Sequence, residues 1–417
     1  MPAATRPVRP RHASRAVHRR VLGTLAAASA AILGFAAVGG ATYLQLTVGA
    51  LETHDVSGLL GPGADSTAEP VEEGPTNFAP GEPINIALIG TDERNGENGD
   101  IGGLEGLGGM RGDTTMVMHI SADRSRIEVV SIPRDSRVRV SDCQMFDGST
   151  VTGWTGKFNI ALANGGQNGN RGEAAACVMR TINDLTGVDF NGHFMMVDFS
   201  GFQNMVDSLG GIPMCIPQDM YSTKAKLDLE AGPQVLDGET ALAYARARTG
   251  TGLGDGTDLM RIDRQQELLT NTARQVFGSN LLTDVPELTQ FVRSAAESLT
   301  VDNELGSLNN IVGLAYSLRN FDTDNLVFAT VPWQYAGDGS GDVLWREAEA
   351  AAMWQSLVDD EPIVLPDDEI ESSTEPSPTA SSGPTTSPTP EATPAPTASP
   401  VRETQEDILD SCAIPES

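Results

Sequence analysis

Lysine is scarce in this chain. Lys157, Lys224 and Lys226 are its only lysines among 27 basic residues, whereas Asp and Glu total 57 and the formal net charge is −30. A body this acidic repels nucleic acid unless basic side chains are gathered locally, so no nucleic-acid partner is expected. Any anion that the protein binds must be held mainly by arginine. The excess of arginine over lysine is also typical of a GC-rich genome, such as an actinobacterial one.

Cysteine and histidine are also few. No CxxC pair and no Cys/His spacing suited to zinc is present. In an exported chain the cysteines are expected to form disulfides, and the sequence leaves three pairings open. The five histidines are scattered, and His119 and His193 lie in apolar runs, so both are predicted to be structural. The four cysteines are Cys143, Cys177, Cys215 and Cys412.

Charge is absent from Val21 to Leu51, whereas the residues before Val21 include six arginines and no acidic residue. The stretch from Val21 to Leu44 is continuously apolar or small. As a helix it would extend about 36 Å, enough to cross a bilayer core. Basic residues before it predict a cytoplasmic N-terminus. We therefore predict a cytoplasmic basic tail over 1–20, one transmembrane anchor over 21–46 and an extracytoplasmic remainder at the cell membrane. The alternative is a cleavable signal peptide, whose apolar core is usually only about 7–15 residues long.

Composition divides the remainder into three parts. Residues 47–83 are predicted to be a linker, because they are rich in Gly, Pro and acidic residues and show no hydrophobic period. Residues 361–417 form a Pro/Ser/Thr-rich tail that is predicted to be disordered. Cys412 could tether the end of this tail to the main domain. Residues 84–360 are left as one folded domain.

The folded segment intermingles strand and helix patterns. Short β-rich runs predict strands at Ile84–Gly90, Thr114–Ser121, Arg126–Pro133, Phe194–Phe199, Met214–Pro217 and Leu326–Val331. Helical periodicity marks Gly172–Leu185, Ser200–Leu209, Gly238–Ala245, Leu259–Phe277, Val285–Leu299, Leu305–Leu318 and Val343–Val358. This order predicts an α/β fold, a three-layer α/β/α sandwich with a mixed central sheet.

Three charged residues fall at predicted strand ends. Asp92 follows the strand 84–90, Asp113 precedes 114–121, and Arg134 follows 126–133. The turn 122–125 is short, so the last two strands should form an antiparallel hairpin that sets Asp113 beside Arg134. Ligands bind at such strand ends in open α/β sheets. Two carboxylates and a guanidinium there could hold a divalent metal and an oxyanion. A structural ion pair between Asp113 and Arg134 is the alternative.

A second set of cations lies further along the chain. Arg246 and Arg248 are two residues apart, so both can serve one site only if the helix before them ends near Ala245 or Arg246. Arg261 and Gln265 share a helix face at i,i+4 and border its core stripe. Arginines placed there in an acidic protein need an anionic partner, and the planar guanidinium suits phosphate oxygens. The pattern therefore favours pyrophosphate chemistry. Neither a P-loop order nor a G-x-S-x-G elbow is present.

These residues resemble the LytR-CpsA-Psr family of cell-wall ligases over about three-fifths of the chain. The segments that carry the resemblance occur in this order: Gly90-Thr-Asp92-Glu-Arg94, Arg111-Gly-Asp113-Thr-Thr, Ser131-Ile-Pro-Arg134-Asp135, Lys157-Phe-Asn159, Gly238-Glu-Thr-Ala-Leu-Ala-Tyr-Ala-Arg246-Ala-Arg248 and Asp258-Leu-Met-Arg261-Ile-Asp-Arg264-Gln265. The chain departs from the family pattern in a Gly-rich insertion over 95–109 and in its acidic Pro-rich tail. These departures leave the acceptor open.

The resemblance implies a metal-dependent phosphotransferase. It would move a glycopolymer from a polyprenyl-pyrophosphate carrier to peptidoglycan or a surface protein and release polyprenyl phosphate. Asp92 and Asp113 would hold Mg²⁺, with Mn²⁺ as a substitute, and these two aspartates and Arg134 would be the catalytic residues. An apolar cavity would receive the polyprenyl chain. The pyrophosphate would be bound by Arg111, Arg134, Lys157, Arg246, Arg248, Arg261 and Gln265.

Three other functions remain open at this point. A pyrophosphatase would use the same residues with water in place of the acceptor hydroxyl. A non-enzymatic envelope regulator is disfavoured because the cytoplasmic part is only about twenty residues and contains no helix-turn-helix pattern. A lipid-binding module would carry the polyprenyl chain without turnover. The general base is not identified, since Asp135 lies near Arg134 in sequence but could equally brace it.

Overall fold

A computed structural model describes residues 52–60, 79–92, 110–254, 258–278 and 299–364, together with Leu409 and Cys412. The predicted cytoplasmic tail and membrane anchor, the insertion at 95–109, nearly all of the predicted helix 285–299 and most of the tail lie outside these residues. Within the described ranges, no helix combines the length and apolarity needed to cross a membrane.

Short strands make up much of the described chain. They are β1 Glu52–His54, β2 Ile84–Thr91, β3 Gly112–Ile120, β4 Ile127–Ser131, β5 Arg137–Arg139, β6 Cys143–Gln144, β7 Thr150–Val151, β8 Thr155–Lys157, β9 Phe194–Val197, β10 Ile212–Ile216, β11 Met220–Ser222, β12 Leu227–Leu229, β13 Gly232–Leu236, β14 Leu299–Asp302, β15 Leu326–Thr330, β16 Trp333–Tyr335 and β17 Val343–Trp345.

Helices connect these strands. They are α1 Ser57–Leu60, α2 Ile160–Gly165, α3 Arg171–Thr186, α4 Phe199–Ser208, α5 Gly238–Arg246, α6 Asp258–Gly278, α7 Leu308–Ser317 and α8 Glu347–Val358. Side-chain caps fix several of their starts. Asp198 accepts a hydrogen bond from the Gly201 N–H at the start of α4, and Asp237 accepts one from Thr240 at the start of α5.

The main sheet of the described residues has seven strands in the order β1-β14-β9-β2-β3-β4-β15. Its strand directions are mixed. The pairs β1–β14, β9–β2 and β4–β15 are parallel, whereas β14–β9, β2–β3 and β3–β4 are antiparallel. The predicted mixed α/β fold with a central mixed sheet is therefore confirmed.

Successive side chains of each strand point to opposite faces of this sheet, and a separate hydrophobic core lies on each face. Ala87, Val117 and Val130 pack on one face with buried residues of α3 and α8. Ile86 and Met116 pack on the other face, where partly buried apolar residues of α6 and α7 join them. Helices thus cover both faces, and the loops at the sheet ends are left to build a site.

The structure differs from the sequence predictions at two places. Part of the segment 47–83, predicted to be a linker, belongs to the folded body, because β1 pairs with β14 and the side chains of Val56 and Leu59 are buried in the core. The predicted helix Val343–Val358 begins only at Glu347, because Val343–Trp345 pairs with Trp333–Tyr335 as a hairpin. In the first case the partner strand is distant in the chain. In the second case the paired strands are too short to show an alternating pattern.

The cysteines form two disulfides, and the pairing that the sequence left open is Cys143–Cys177 and Cys215–Cys412. The first joins β6 to α3. The second joins the end of the chain to β10, so the predicted tether through Cys412 is confirmed. His119 and His193 are both buried and bonded to protein groups, in agreement with structural roles.

Candidate functional site

A β-bulge places Asp113 at the end of the central hairpin. Gly90 pairs with Thr114 and Thr91 pairs with Gly112, so Asp113 is the extra residue between them. Bulges re-aim side chains and often lie next to active sites. The Asp92 N–H then donates to the Arg111 carbonyl at 3.2 Å. Asp92 and Asp113 consequently lie at the same end of the central strands β2 and β3.

Arg134 lies directly across the hairpin from Asp113. The β3–β4 register pairs Met116 with Ser131, and extending it by three residues on each strand pairs Asp113 with Arg134. Arg134 Nη1 donates a hydrogen bond to Asp113 Oδ1. Both side chains are partly buried, which strengthens their attraction relative to a surface pair. The predicted neighbourhood of these two residues is confirmed.

Helix α6 adds two further predicted residues to this place. Arg261 is 3% exposed, and its Nη2 donates to the Asp113 carbonyl at 2.8 Å. Gln265 accepts a hydrogen bond from Thr114 Oγ1 at 3.1 Å and donates from Nε2 to the Ala245 carbonyl at 3.0 Å. Gln265 thereby joins β3 to the end of α5. A pocket at this point is lined by Asp113, Thr114, Thr115, Met116, Ser131, Ile132, Arg134, Ile262 and Gln265.

The end of α5 presents Arg246 and then Arg248. The helix stops at Arg246 because Ala247 has an extended backbone, with φ −61° and ψ 131°. The predicted helix end is therefore confirmed. The Arg246 guanidinium lies 4.2 Å from the centroid of the Phe199 ring, a cation–π contact. Arg264 donates to the carbonyls of Ala247 and Leu253 and so fixes the backbone between the two arginines.

Lys157 reaches the same strand end through Asp135. Its Nζ lies 2.6 Å from Asp135 Oδ1 and 3.4 Å from Asp342 Oδ1. Asp135 Oδ2 also lies 3.8 Å from Arg134 Nε, so Asp135 braces both cations. Burial acts to lower the pKa of Lys157, but the hydrogen bonds and charges of the two aspartates outweigh it and raise the pKa. Lys157 is accordingly a protonated cation at neutral pH.

The predicted residues are thus brought together to different degrees. Asp113, Arg134, Arg261 and Gln265 meet in direct contact or in one pocket. Lys157 joins them through Asp135, and Arg246 joins through its neighbour Ala245. Asp92 and Arg111 lie one register step from Asp113. Arg248 lies in the segment after α5 and Arg111 is exposed, and the residues that line the pocket include neither of them.

Two bracing residues carry no local sequence signal of their role. Asp342 lies in a Gly-rich loop with no hydrophobic period, far from Lys157 in the chain. Arg264 lies within the motif segment 258–265, yet only its contacts with the carbonyls of Ala247 and Leu253 reveal what it does. A functional prediction from side-chain chemistry overlooks residues that act on the backbone.

The carboxylates present suit a magnesium ion that is shared with a substrate. Among the described residues, no group of three His, Cys, Asp or Glu side chains could hold a metal alone. Mg²⁺ is usually bound through one or two carboxylates, with substrate phosphates and water completing the octahedron. Asp92 and Asp113 fit that requirement, because at the bulge they would supply two hard oxygen ligands beside Arg134.

These features define a mixed α/β protein with a pocket lined by Asp113, Arg134 and Gln265 at one end of its central sheet. The model of the LytR_cpsA_psr family matches residues 63–358, and the chain belongs to that family.

Known relatives have cell-wall names. The chain is 32% identical over 302 residues to the "Probable cell wall biosynthesis protein LcpB" of the actinobacterium Corynebacterium glutamicum. This match covers 70% of this chain and 66% of that protein. It is 24% identical over 304 residues to the "Polyisoprenyl-teichoic acid–peptidoglycan teichoic acid transferase TagT" of Bacillus subtilis, covering 71% and 81%. The chain thus spans just under two thirds of LcpB.

A solved structure shows the same fold. The crystal structure of TagV from B. subtilis superposes with a TM-score of 0.51 at 21% identity, covering 67% of this chain and 97% of that one. At this identity the likeness establishes the architecture alone.

Proposed function

We propose that this protein transfers a glycopolymer from a polyprenyl-pyrophosphate carrier to a cell-wall acceptor, peptidoglycan or a surface protein, and releases polyprenyl phosphate. The observation that carries this proposal is the meeting of Asp113, Arg134 and Arg261 at one bulge. Arginine side chains beside two carboxylates match the charge of a pyrophosphate bound with a divalent metal. The names of relatives that act on teichoic acid and peptidoglycan agree with this substrate class.

In the proposed reaction an acceptor hydroxyl attacks the sugar-side phosphorus in line with the bridging oxygen. One P–O bond forms, the bond to the bridging oxygen breaks, and polyprenyl phosphate leaves with that oxygen. Arg134 and Arg261 neutralise charge on the phosphate oxygens, and Lys157 and Arg246 add positive charge at the same end of the sheet. Mg²⁺, held by Asp92 and Asp113, would supply Lewis-acid stabilisation of the phosphate charge. The hydroxyl proton passes to solvent or a base.

The location of the protein is part of the proposal. We infer that residues 21–46 form a single-pass anchor with a cytoplasmic N-terminus. This anchor would hold the domain at the extracytoplasmic face of the cell membrane, where a lipid-linked donor is presented. Protease digestion of intact spheroplasts tests this orientation. The domain should be degraded from outside, and a tag at residue 1 should remain protected.

The test of function uses the full-length chain in detergent with a synthetic polyprenyl-pyrophosphate glycan and peptidoglycan fragments. The expected products are polyprenyl phosphate and a glycan joined covalently to the acceptor through phosphate. Free phosphorylated glycan in place of the conjugate would instead identify a pyrophosphatase. Binding of the lipid with no product of either kind would leave a lipid-binding module.

A further inference from the structure

A hairpin outside the sequence motifs reaches back to the candidate site. Strands β16 and β17 are joined by the loop 336–342, in which Gly337, Gly339 and Gly341 have φ values of 71°, 79° and 76°. Left-handed backbone at alternate positions favours glycine, because most other residues are strained there. The loop is thereby shaped to direct Asp338 and Asp342 toward one place.

Arg137 occupies that place. Its Nε donates to Asp342 Oδ2 at 2.8 Å, and its Nη2 donates to Asp338 Oδ2 at 2.6 Å and to Ser340 Oγ at 3.0 Å. The loop therefore wraps a guanidinium that comes from β5. Since β5 begins three residues after Arg134, the loop is attached close to the phosphate-binding strand end.

Asp342 extends the contact from Arg137 to Lys157. Its Oδ1 lies 3.4 Å from Lys157 Nζ while its Oδ2 accepts from Arg137. Its side chain is 14% exposed, whereas that of Asp338 is 46% exposed. The next residue, Val343, donates its N–H to the Asp135 carbonyl at 3.2 Å. One hairpin therefore touches both Lys157 and the residue that braces Arg134 and Lys157.

We propose that Asp342 is a positioning residue for donor binding, which holds the Lys157 ammonium between two carboxylates beside Arg134. The proposal rests on the proposed function for its substrate, a pyrophosphate. Two carboxylates on one ammonium restrict it more than one does, because a single partner leaves the flexible lysine stem free to turn into solvent. Asp338 shares Arg137 with Asp342, whereas the carboxylates that pair with Lys157 are those of Asp135 and Asp342, so Asp338 provides a matched comparison.

The first arm of the test measures the Lys157 amine itself. Full-length protein is acetylated with limiting reagent, and modification is counted by peptide mass spectrometry at Lys157, with the exposed Lys224 and Lys226 as internal references. Only the neutral amine reacts, so a fall of about half a unit in its pKa raises the rate about threefold. Asp342→Asn is expected to raise Lys157 labelling roughly threefold relative to the references. Asp338→Asn and Asp342→Glu are expected to leave it near the wild-type rate.

The second arm measures kinetics with the lipid-linked donor. Asp342→Asn is expected to raise the donor KM about two- to fivefold, as for loss of one partly exposed ion pair, with kcat within about twofold. Asp342→Glu should restore the KM. Thermal unfolding of each variant separates this effect from misfolding.

Different outcomes test the positioning role of Asp342 and the proposed transfer function. Unchanged Lys157 labelling in Asp342→Asn, or raised labelling with an unchanged donor KM, overturns the positioning role. A wild-type protein that transfers nothing overturns the proposed function instead, and the labelling arm still decides whether Asp342 holds Lys157.

Discussion

Arg261 Nη2 donates a hydrogen bond to the backbone carbonyl of Asp113 at 2.8 Å, across 148 residues of sequence. Arg261 is almost fully buried, and this hydrogen bond ties helix α6 to the bulge at Asp113. Arg261 therefore supports the backbone of an aspartate that is proposed to be catalytic, and its loss should affect both folding and transfer.

Replacing Arg261 should therefore affect both folding and transfer. Arg261→Met leaves the Asp113 carbonyl without this donor and is expected to lower the free energy of unfolding by about 1–3 kcal/mol. Transfer should fall by more than the unfolded fraction explains, because a phosphate-binding cation is lost. Urea denaturation and activity of the folded protein measure the two effects. Arg139→Met, at an exposed arginine with only a 3.6 Å pair to Asp142, is the control; it should change the free energy of unfolding by less than about 0.5 kcal/mol and leave transfer unchanged. Wild-type transfer by Arg261→Met would restrict Arg261 to a structural role.

Arg134 should not tolerate lysine. An ammonium can still pair with Asp113, but it cannot present two parallel donors to a phosphate. Arg134→Lys is expected to reduce kcat/KM about ten- to a hundredfold, the range for losing a hydrogen bond to a charged group. The control is Arg139→Lys. Arg139 is exposed, lies away from the pocket, and pairs with Asp142 at an N–O distance of 3.6 Å. Equal activity of both variants would mean that Arg134 supplies only charge.

Transfer should depend on a divalent cation. Removal of metal with EDTA is expected to stop the reaction, and Mg²⁺ or Mn²⁺ should restore it. Asp92→Asn removes one of the two predicted ligands and should raise the Mg²⁺ concentration for half-maximal activity about tenfold or more. The control is Asp142→Asn, at a partly exposed aspartate outside the pocket. Full activity in EDTA would exclude the metal role of Asp92 and Asp113.

His119 should make stability depend on pH. It is fully buried, with its ring nitrogens 2.7 Å from Asn85 Oδ1 and 3.1 Å from Asp360 Oδ1. Burial lowers the pKa of His119 from its ordinary value of 6.5, although Asp360 opposes the shift. The unfolded chain thus binds this proton more readily than the folded protein. The free energy of unfolding should fall as pH drops from 6.5 towards the lowered pKa, and the full contribution should be present above 6.5.

Urea denaturation on both sides of this pH window checks the effect of His119. The slope of stability against pH should be shallower in His119→Gln, which has no titrating ring. An identical slope in the two proteins would assign the dependence to other groups.

The sequence was sufficient where a contact is set by local geometry. Asp113 and Arg134 could be placed side by side because a short turn fixes the register of an antiparallel hairpin. The helix end at Arg246 followed from the requirement that two arginines two residues apart serve one site. The bulge at Asp113 could not be predicted, because it appears only when the register of β2 is compared with that of β3.

Contacts between distant segments were beyond the sequence patterns. The disulfide partners of Cys143 and Cys215 depend on the packing of α3 and on the return of the chain end, and spacing specifies neither. Asp342 meets Lys157 only because Val343 of β17 forms a β-bridge with Ser136, the residue before β5. Strand β1 is three residues long, too short for an alternating pattern to emerge.

Strand β1 decides where a shortened, soluble form of the protein can begin. It pairs residues 52–54 with 300–302 of β14, and so forms one edge strand of the main sheet and covers the backbone of β14. A truncation that starts near residue 63, where the family match begins, would strip that edge and remove Val56 and Leu59 from the core. Uncovered sheet edges invite pairing with a second chain. Such a truncation is expected to self-associate on size-exclusion chromatography, whereas one starting at residue 51 should elute as a single smaller species.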